Sequence, residues 1–299
     1  MGLLVKFDIV SGFLGAGKTS LIKKILKSLD SDEKIVLIEN EFGDVNVDRE
    51  VLDVEGFEVY ELSNGCVCCK LKGDFLLTLK QILNQKVDRI IFEPSGIFIL
   101  GEILDLFKDP EISNKCVINS VTTVVDAQNF SKHIQSYTGF FKSQISCAST
   151  LVVSKSQSFE AEELSKLEAE LRWLNGTAKI ISKNWVNLSN QEITSIVTDN
   201  LDYVQYKDAH VSKHGFESVG LKKPRDLYFK ELENILKKCK DGFYGNVVRG
   251  KGIIKSEQNF LEFNYVDGHY AISESTGISE MVSFIGKNLE KETLIAAFQ

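Results

Sequence analysis

Between residues 5 and 182, short runs rich in β-branched and aliphatic residues recur along the chain: "VKFDIV", "KIVLIEN", "FEVYEL", "RIIFEP", "VTTVVDA", "TLVVSK" and "AKIIS". Stretches with helical spacing lie between them. Leu21, Ile22, Ile25, Leu26 and Leu29 form one apolar stripe, and Leu164, Leu167, Leu171 and Leu174 form another, at intervals that bring side chains onto one helix face. Both stripes read as core-facing. Strand runs that alternate with amphipathic helices predict an α/β fold, a mainly parallel sheet flanked by helices.

After about residue 205 the rhythm changes. "HGFESVGL" leads into a helix on which Tyr228, Leu232, Ile235, Leu236 and Cys239 share a face, followed by "VVRGKGIIK", "FLEFNYVDG" and "HYAIS" separated by turn residues. "MVSFIG" adds a further strand, and "EKETLIAAF" reads as a last helix. The pattern predicts two domains, an α/β domain over residues 1–205 and a smaller α+β domain over 206–299. A length of 299 residues agrees with that division at about 150 residues per domain.

Charge narrows the partners. With 35 basic against 42 acidic residues, the net charge of −7 argues against a broad nucleic-acid-binding face and against an anionic membrane surface. The first twenty residues, "MGLLVKFDIVSGFLGAGKTS", lack a basic head, a long apolar run and a small-residue cleavage site, so the expected location is cytoplasmic. In such a compartment the six cysteines read as metal-binding, redox-active or buried before they read as a disulfide framework.

Residues 12–19, "GFLGAGKT", satisfy G-x-x-x-x-G-K-[ST] directly after an apolar strand and directly before an amphipathic helix. Glycines at 12, 15 and 17 let the loop wrap so that backbone N–H groups and a helix N-terminus face phosphate oxygens; Lys18 supplies a cation and Thr19 a Mg²⁺-binding hydroxyl. A P-loop nucleoside-triphosphate site follows from strand, loop and helix together. Glu93, closing the strand in "RIIFEPSG", suits the second acidic element that holds or orients the metal ion, with a solvent-exposed strand-end carboxylate as its alternative. Glu39, Glu41 and Asp44 in "IENEFGD" form an acidic cluster fit for Mg²⁺ or water, or equally for a solvated loop.

Three cysteines crowd "ELSNGCVCCKLK". Cys66 and Cys68 point the same way in an extended segment, with Cys69 next in line, and thiolates suit thiophilic ions such as Zn²⁺ and Cu(I). Three sulfurs leave one position of a four-coordinate ion open, which suits an ion that is handed on or a site completed by a water, His or Glu. A redox-active dithiol and inert buried thiols are the alternatives. Cys116, Cys147 and Cys239 lie in apolar surroundings and read as core residues, while His210 and His214 read as a surface or interdomain contact ahead of a metal site.

In the order of "SGFLGAGKTS", "IENEFGDVNVD", "ELSNGCVCC" and "EPSG", extended by "VVDA", "RGKGIIK" and "FIGKNLEKETL", the chain resembles the CobW family, metal-linked P-loop GTPases related to HypB and UreG. The resemblance implies a nucleotide-hydrolysing metallochaperone with a CobW C-terminal-like second domain. By motif, Gly12, Gly15, Ala16, Gly17, Lys18, Thr19 and Ser20 would bind the nucleotide, with Lys155 at the base. Lys18, Thr19 and Glu93 would carry the catalytic roles. Thr19, Glu39 and Glu41 would serve Mg²⁺, with Glu39 and Glu41 in the first switch segment, and Cys66, Cys68 and Cys69 would hold the cargo, Zn²⁺ or Co²⁺. The implied partner is a client metalloprotein or metallocofactor enzyme, and a homodimer is compatible with the resemblance. No arginine finger or water-positioning glutamine stands out, so a client is the expected source of that group.

One departure concerns the base. The family reads guanine with Asn-Lys-x-Asp, and here "LVVSKSQSF" offers Ser154, Lys155, Ser156 and Gln157. An Asp carboxylate accepts from both N1–H and the 2-amino group of guanine, whereas a Gln amide offers one acceptor and a mismatched donor. GTP is the family-based expectation and ATP its rival. Two other readings compete: an ATP-dependent reactivation or assembly factor for a metallocofactor enzyme, for example a corrinoid protein, and a non-catalytic metal-dependent binding module that keeps its nucleotide for structure only.

Overall fold

The computed structural model describes residues 4–30, 32–41, 57–63, 70–198, 215–257, 259–276 and 280–299. Seven strands form the first sheet: β1 (Val5–Gly12), β2 (Ile35–Glu41), β3 (Glu58–Ser63), β4 (Arg89–Glu93), β5 (Cys116–Asp126), β6 (Thr150–Ser154) and β7 (Lys179–Ile181), in the order β3-β2-β4-β1-β5-β6-β7. The pairs β2–β4, β4–β1, β1–β5, β5–β6 and β6–β7 are parallel. Every residue of β4 and of β6 is buried, as expected of strands covered on both faces. The α/β expectation holds.

One core of this sheet gathers Phe7, Ile9, Val36, Ile38, Ile90 and Phe92 against Phe75, Leu79 and Ile82 of the helix Lys70–Leu83. Beneath it, Arg89 at the start of β4 pairs with Asp8 of β1 and, at 3.1 Å, with Glu33. Asn119 donates to Asp8 at 2.7 Å and to the Val197 carbonyl at 2.6 Å, which ties the helix Asn190–Thr198 to β1 and β5. Cutting such a buried pair strands a charge and costs about 3–5 kcal/mol.

The second sheet is antiparallel: β8 (Glu217–Lys222), β9 (Asn246–Ser256), β10 (Asn259–Val266), β11 (His269–Ser275) and β12 (Met281–Lys287), ordered β11-β10-β9-β12-β8. Leu232, Ile235, Leu236 and Cys239 of the helix Phe229–Lys240 pack with Val247, Ile254, Phe263, Tyr265 and Phe284. The helical face differs from expectation at Tyr228. That residue caps the helix with extended backbone and is 61% exposed, its N–H bonded to Glu231 at 2.9 Å. Periodicity extended one residue past the turn that starts the helix, where side-chain direction no longer follows the 3.6-residue repeat.

Burial makes inert core groups of Cys116 and Cys239, as expected: it pushes both thiols up to about 12, and Cys147 is buried as well. No described helix is long and apolar enough to cross a membrane.

Candidate nucleotide site

The glycine loop joins β1 to the helix Lys18–Ser28. Gly12, Gly15 and Gly17 take φ of 146°, 72° and 99°, and Gly17 is the left-handed N-cap residue of the helix. That helix has no acidic residue in its first turn, so its positive end is not neutralised from within. Lys18 is only 8% exposed and reaches back along the loop, its Nζ lying 3.5 Å from the Phe13 carbonyl oxygen. Ser20 is exposed on the first turn.

Three neighbours immobilise the loop. Phe13 is buried in an aromatic nest, stacked on Tyr137 with centroids 4.9 Å apart and against His133, Phe140 and Phe141. The Ser154 hydroxyl at the end of β6 donates to the Ala16 carbonyl at 2.7 Å. On the third side Gly96 lies so close that an added Cβ would sit 2.5 Å from the Leu14 nitrogen. Gly96 is itself held by Gln144, whose Nε2 donates to its carbonyl at 3.2 Å, while Thr123 donates to the Gln144 carbonyl at 2.7 Å. A preset loop spends little of its binding energy on ordering.

Beside the helix start, the Thr19 hydroxyl lies 3.1 Å and 3.2 Å from the two carboxylate oxygens of Glu93. Glu93 ends β4 and is 8% exposed; Glu39 is its register partner on β2 and is 7% exposed. Two buried carboxylates in register on adjacent strands, next to a hydroxyl and a loop of N–H donors, make an all-oxygen set that fits a hard cation such as Mg²⁺. The solvent-exposed alternative for Glu93 does not hold.

Directly after Ser154, Lys155 follows β6 with φ of 56° and places its Nζ 2.7 Å from Asp126. The Asp126 side chain is fully buried at the end of β5 and also accepts from the Gln128 and Asn129 amides at 3.0 and 3.3 Å and from Asn129 Nδ2 at 2.9 Å. Gln157 is exposed. Sequence reasoning noted "VVDA" without giving Asp126 a task, because its partner lies on the neighbouring strand. Glu41 ends β2, with its side chain outside the described residues, and Asp44, Cys66, Cys68, Cys69, His210 and His214 also lie outside them. Among the described residues no group of three or more His, Cys, Asp or Glu comes together as a metal site.

A parallel sheet whose first strand feeds a glycine loop and a helix N-terminus, with acidic strand ends alongside, defines a P-loop NTPase-like domain. The CobW/HypB/UreG nucleotide-binding domain matches residues 6–182, and the cobalamin synthesis protein cobW C-terminal domain matches residues 216–299, so the chain belongs to the CobW family. It is similar to the zinc chaperone CobW of Pseudomonas aeruginosa, 30% identical over 54% of this chain and 52% of the relative. The zinc-regulated GTPase metalloprotein activator 1 of Schizosaccharomyces pombe is 31% identical over 70% of this chain and 51% of its own length. The chain thus spans about half the length of these two relatives. The zinc chaperone YjiA of Escherichia coli is 29% identical over 98% of both chains.

Proposed function

We propose that this protein is a GTP-hydrolysing metallochaperone that couples its nucleotide state to binding and release of Zn²⁺ for a client metalloprotein. The observation that carries the reading is the Thr19–Glu93 contact, with Glu39 alongside, at the N-terminus of a helix capped by a glycine loop. Gly12 to Thr19 bind the phosphates through backbone N–H groups, and Lys18 turns from the Phe13 carbonyl to the phosphate oxygens. Thr19, Glu39 and Glu93 would hold Mg²⁺, which would supply positive charge against the phosphates. Glu93 stands next to Gly96 in one short turn, so the strand end that faces the metal is also the segment that abuts the loop. A triphosphate and a diphosphate would then present different geometry to Glu39 and the chain that follows it, which leads toward Cys66, Cys68 and Cys69. The zinc chaperone and GTPase names of the relatives support the cargo and the nucleotide.

A second reading, ATP in place of GTP, rests on Gln157 standing where the guanine-reading Asp is expected. One experiment addresses both. Zinc affinity is measured by chelator competition in Mg²⁺-GTP, Mg²⁺-GDP, Mg²⁺-ATP and without nucleotide, with phosphate release followed in parallel and Cys66→Ser/Cys68→Ser as control. The expected result is a change of about tenfold or more between triphosphate and diphosphate, about 1.4 kcal/mol of coupling, lost in the double variant. Zinc affinity indifferent to nucleotide overturns the metallochaperone reading, and the nucleotide that produces the coupling identifies the base.

A further inference from the structure

The turn after β7 contains a short helical segment, Trp185–Asn187, and Trp185 is the one tryptophan brought to the glycine loop. A Cβ built on Gly17 would lie 3.0 Å from Cη2 and 3.3 Å from Cζ2 of Trp185, so the six-membered ring of the indole rests on the N-cap residue of the helix Lys18–Ser28. The ring is only partly buried.

Its position is set from several sides. β7 runs beside β6 in parallel register, Val152 opposite Ile181, so the turn leaves the sheet at the same carboxyl edge as Ser154 and Lys155. Ser154 already touches Ala16, the residue before Gly17, which brings the ends of β6 and β7 together on one stretch of the loop. Carboxyl edges of parallel strands are where α/β sheets take their ligands. Glu192 clamps both ends of the turn: its carboxylate accepts from Lys183 Nζ at 3.1 Å, from the Ser189 N–H at 2.8 Å and from the Ser189 hydroxyl at 2.9 Å. Asn187 and Leu188 N–H groups close back on the Asn184 and Trp185 carbonyls at 2.9 and 3.2 Å.

The geometry points to Trp185 as a nucleobase-contacting residue whose indole forms an aromatic wall of the nucleotide pocket, giving affinity for purines without choosing among them. This rests on nucleotide binding at Gly12–Thr19. Stacking on an aromatic face tolerates any base, because every base presents a π-face. Gln157 supplies only part of the hydrogen-bond match that guanine demands, so a stacking surface is the chemistry left to hold the base.

The test is equilibrium titration of the full chain with Mg²⁺-GDP, Mg²⁺-ADP and inorganic tripolyphosphate. Trp185→Ala and Trp185→Phe are compared with the parent in a Trp173→Phe background, which leaves Trp185 as the sole indole of the parent. In the parent, nucleotide binding changes the Trp185 emission; a calorimetric titration reads all variants. Trp185→Ala is expected to weaken GDP and ADP alike by about tenfold and leave tripolyphosphate unchanged, while Trp185→Phe stays within about threefold of the parent. Unchanged nucleotide affinity in Trp185→Ala overturns the assignment. So does equal tightening of GDP and tripolyphosphate, which would make the indole a cover on the phosphate loop, or equal loss of all three, which would make it a structural prop. A parent chain that binds neither nucleotide nor tripolyphosphate defeats the nucleotide reading itself.

Discussion

The two ends of the proposed nucleotide site are built by different means. At the proposed phosphate end stand backbone N–H groups, one buried ammonium and an oxygen cluster of Thr19, Glu39 and Glu93, all set by β1, β2 and β4. At the proposed nucleobase end stand side chains at or just after the ends of β6 and β7: Ser154 tied to Ala16, Lys155 tied to Asp126, an exposed Gln157 and an indole laid on Gly17. Phosphate binding by backbone leaves little room for substitution, because the polar atoms belong to every residue and only glycine admits the required φ. Base reading by side chains can change one residue at a time. On the proposed reading, the contrast separates the energy of nucleotide binding, carried by backbone, from the choice of base, carried by side chains.

Four experiments break or sharpen that contrast. Lys18→Ala removes the only charge inside the loop and should weaken GTP and ATP equally, on the order of a hundredfold, the worth of a charge-assisted hydrogen bond. Calorimetric titration checks it, and a loss confined to one base would mean that the two ends are not separate. Gly96→Ala comes next: its methyl would lie 2.5 Å and 2.7 Å from the nitrogen and Cα of Leu14, backbone atoms that can yield only by moving the loop. Urea unfolding should show a loss of about 2 kcal/mol, with weaker binding of every phosphate ligand. Full stability would show that the loop is looser than its packing implies.

Gln157→Asp acts on the other end alone. A second acceptor for guanine should raise the GTP-over-ATP affinity ratio by about tenfold while leaving tripolyphosphate binding as it was. An unchanged ratio would place base discrimination elsewhere. The smallest effect concerns the clamp behind Trp185. The Ser189 N–H and hydroxyl, with Lys183, hold the Glu192 carboxyl down at about 2 against an ordinary 4.5. A lowered carboxyl stabilises the fold above the unfolded value, and that contribution fades as pH falls from about 4.5 toward 2. Glu192→Gln should therefore melt slightly lower than the parent near neutrality, with the gap closing over that acid window. A gap constant with pH would deny the clamp its charge.

Local pattern determined a good deal. Glycines at 12, 15 and 17 with Lys18 and Thr19 announce a phosphate loop because the conformations and the charge that the loop needs sit in consecutive residues. The alternation of apolar runs and helical stripes announces the α/β sheet because its central strands, such as β4 and β6, are buried on both faces and its helices on one. The Gln-for-Asp departure at position 157 is equally local. Tyr228 marks the edge of such reasoning, since a helix boundary is decided by one capping residue.

What tertiary structure decided are relations between residues far apart in the chain. Glu93 read as well for a solvated strand end until β4 set it against Thr19 and beside Glu39. Asp126 acquired Lys155, Gly96 acquired its close contact with Leu14, and Trp185 acquired Gly17 only when strands distant in sequence became neighbours in the sheet. Motif spacing encodes the chemistry of a single turn of chain. Hydrogen bonds, close approaches and ring contacts across strands depend on register and burial, which no single segment carries.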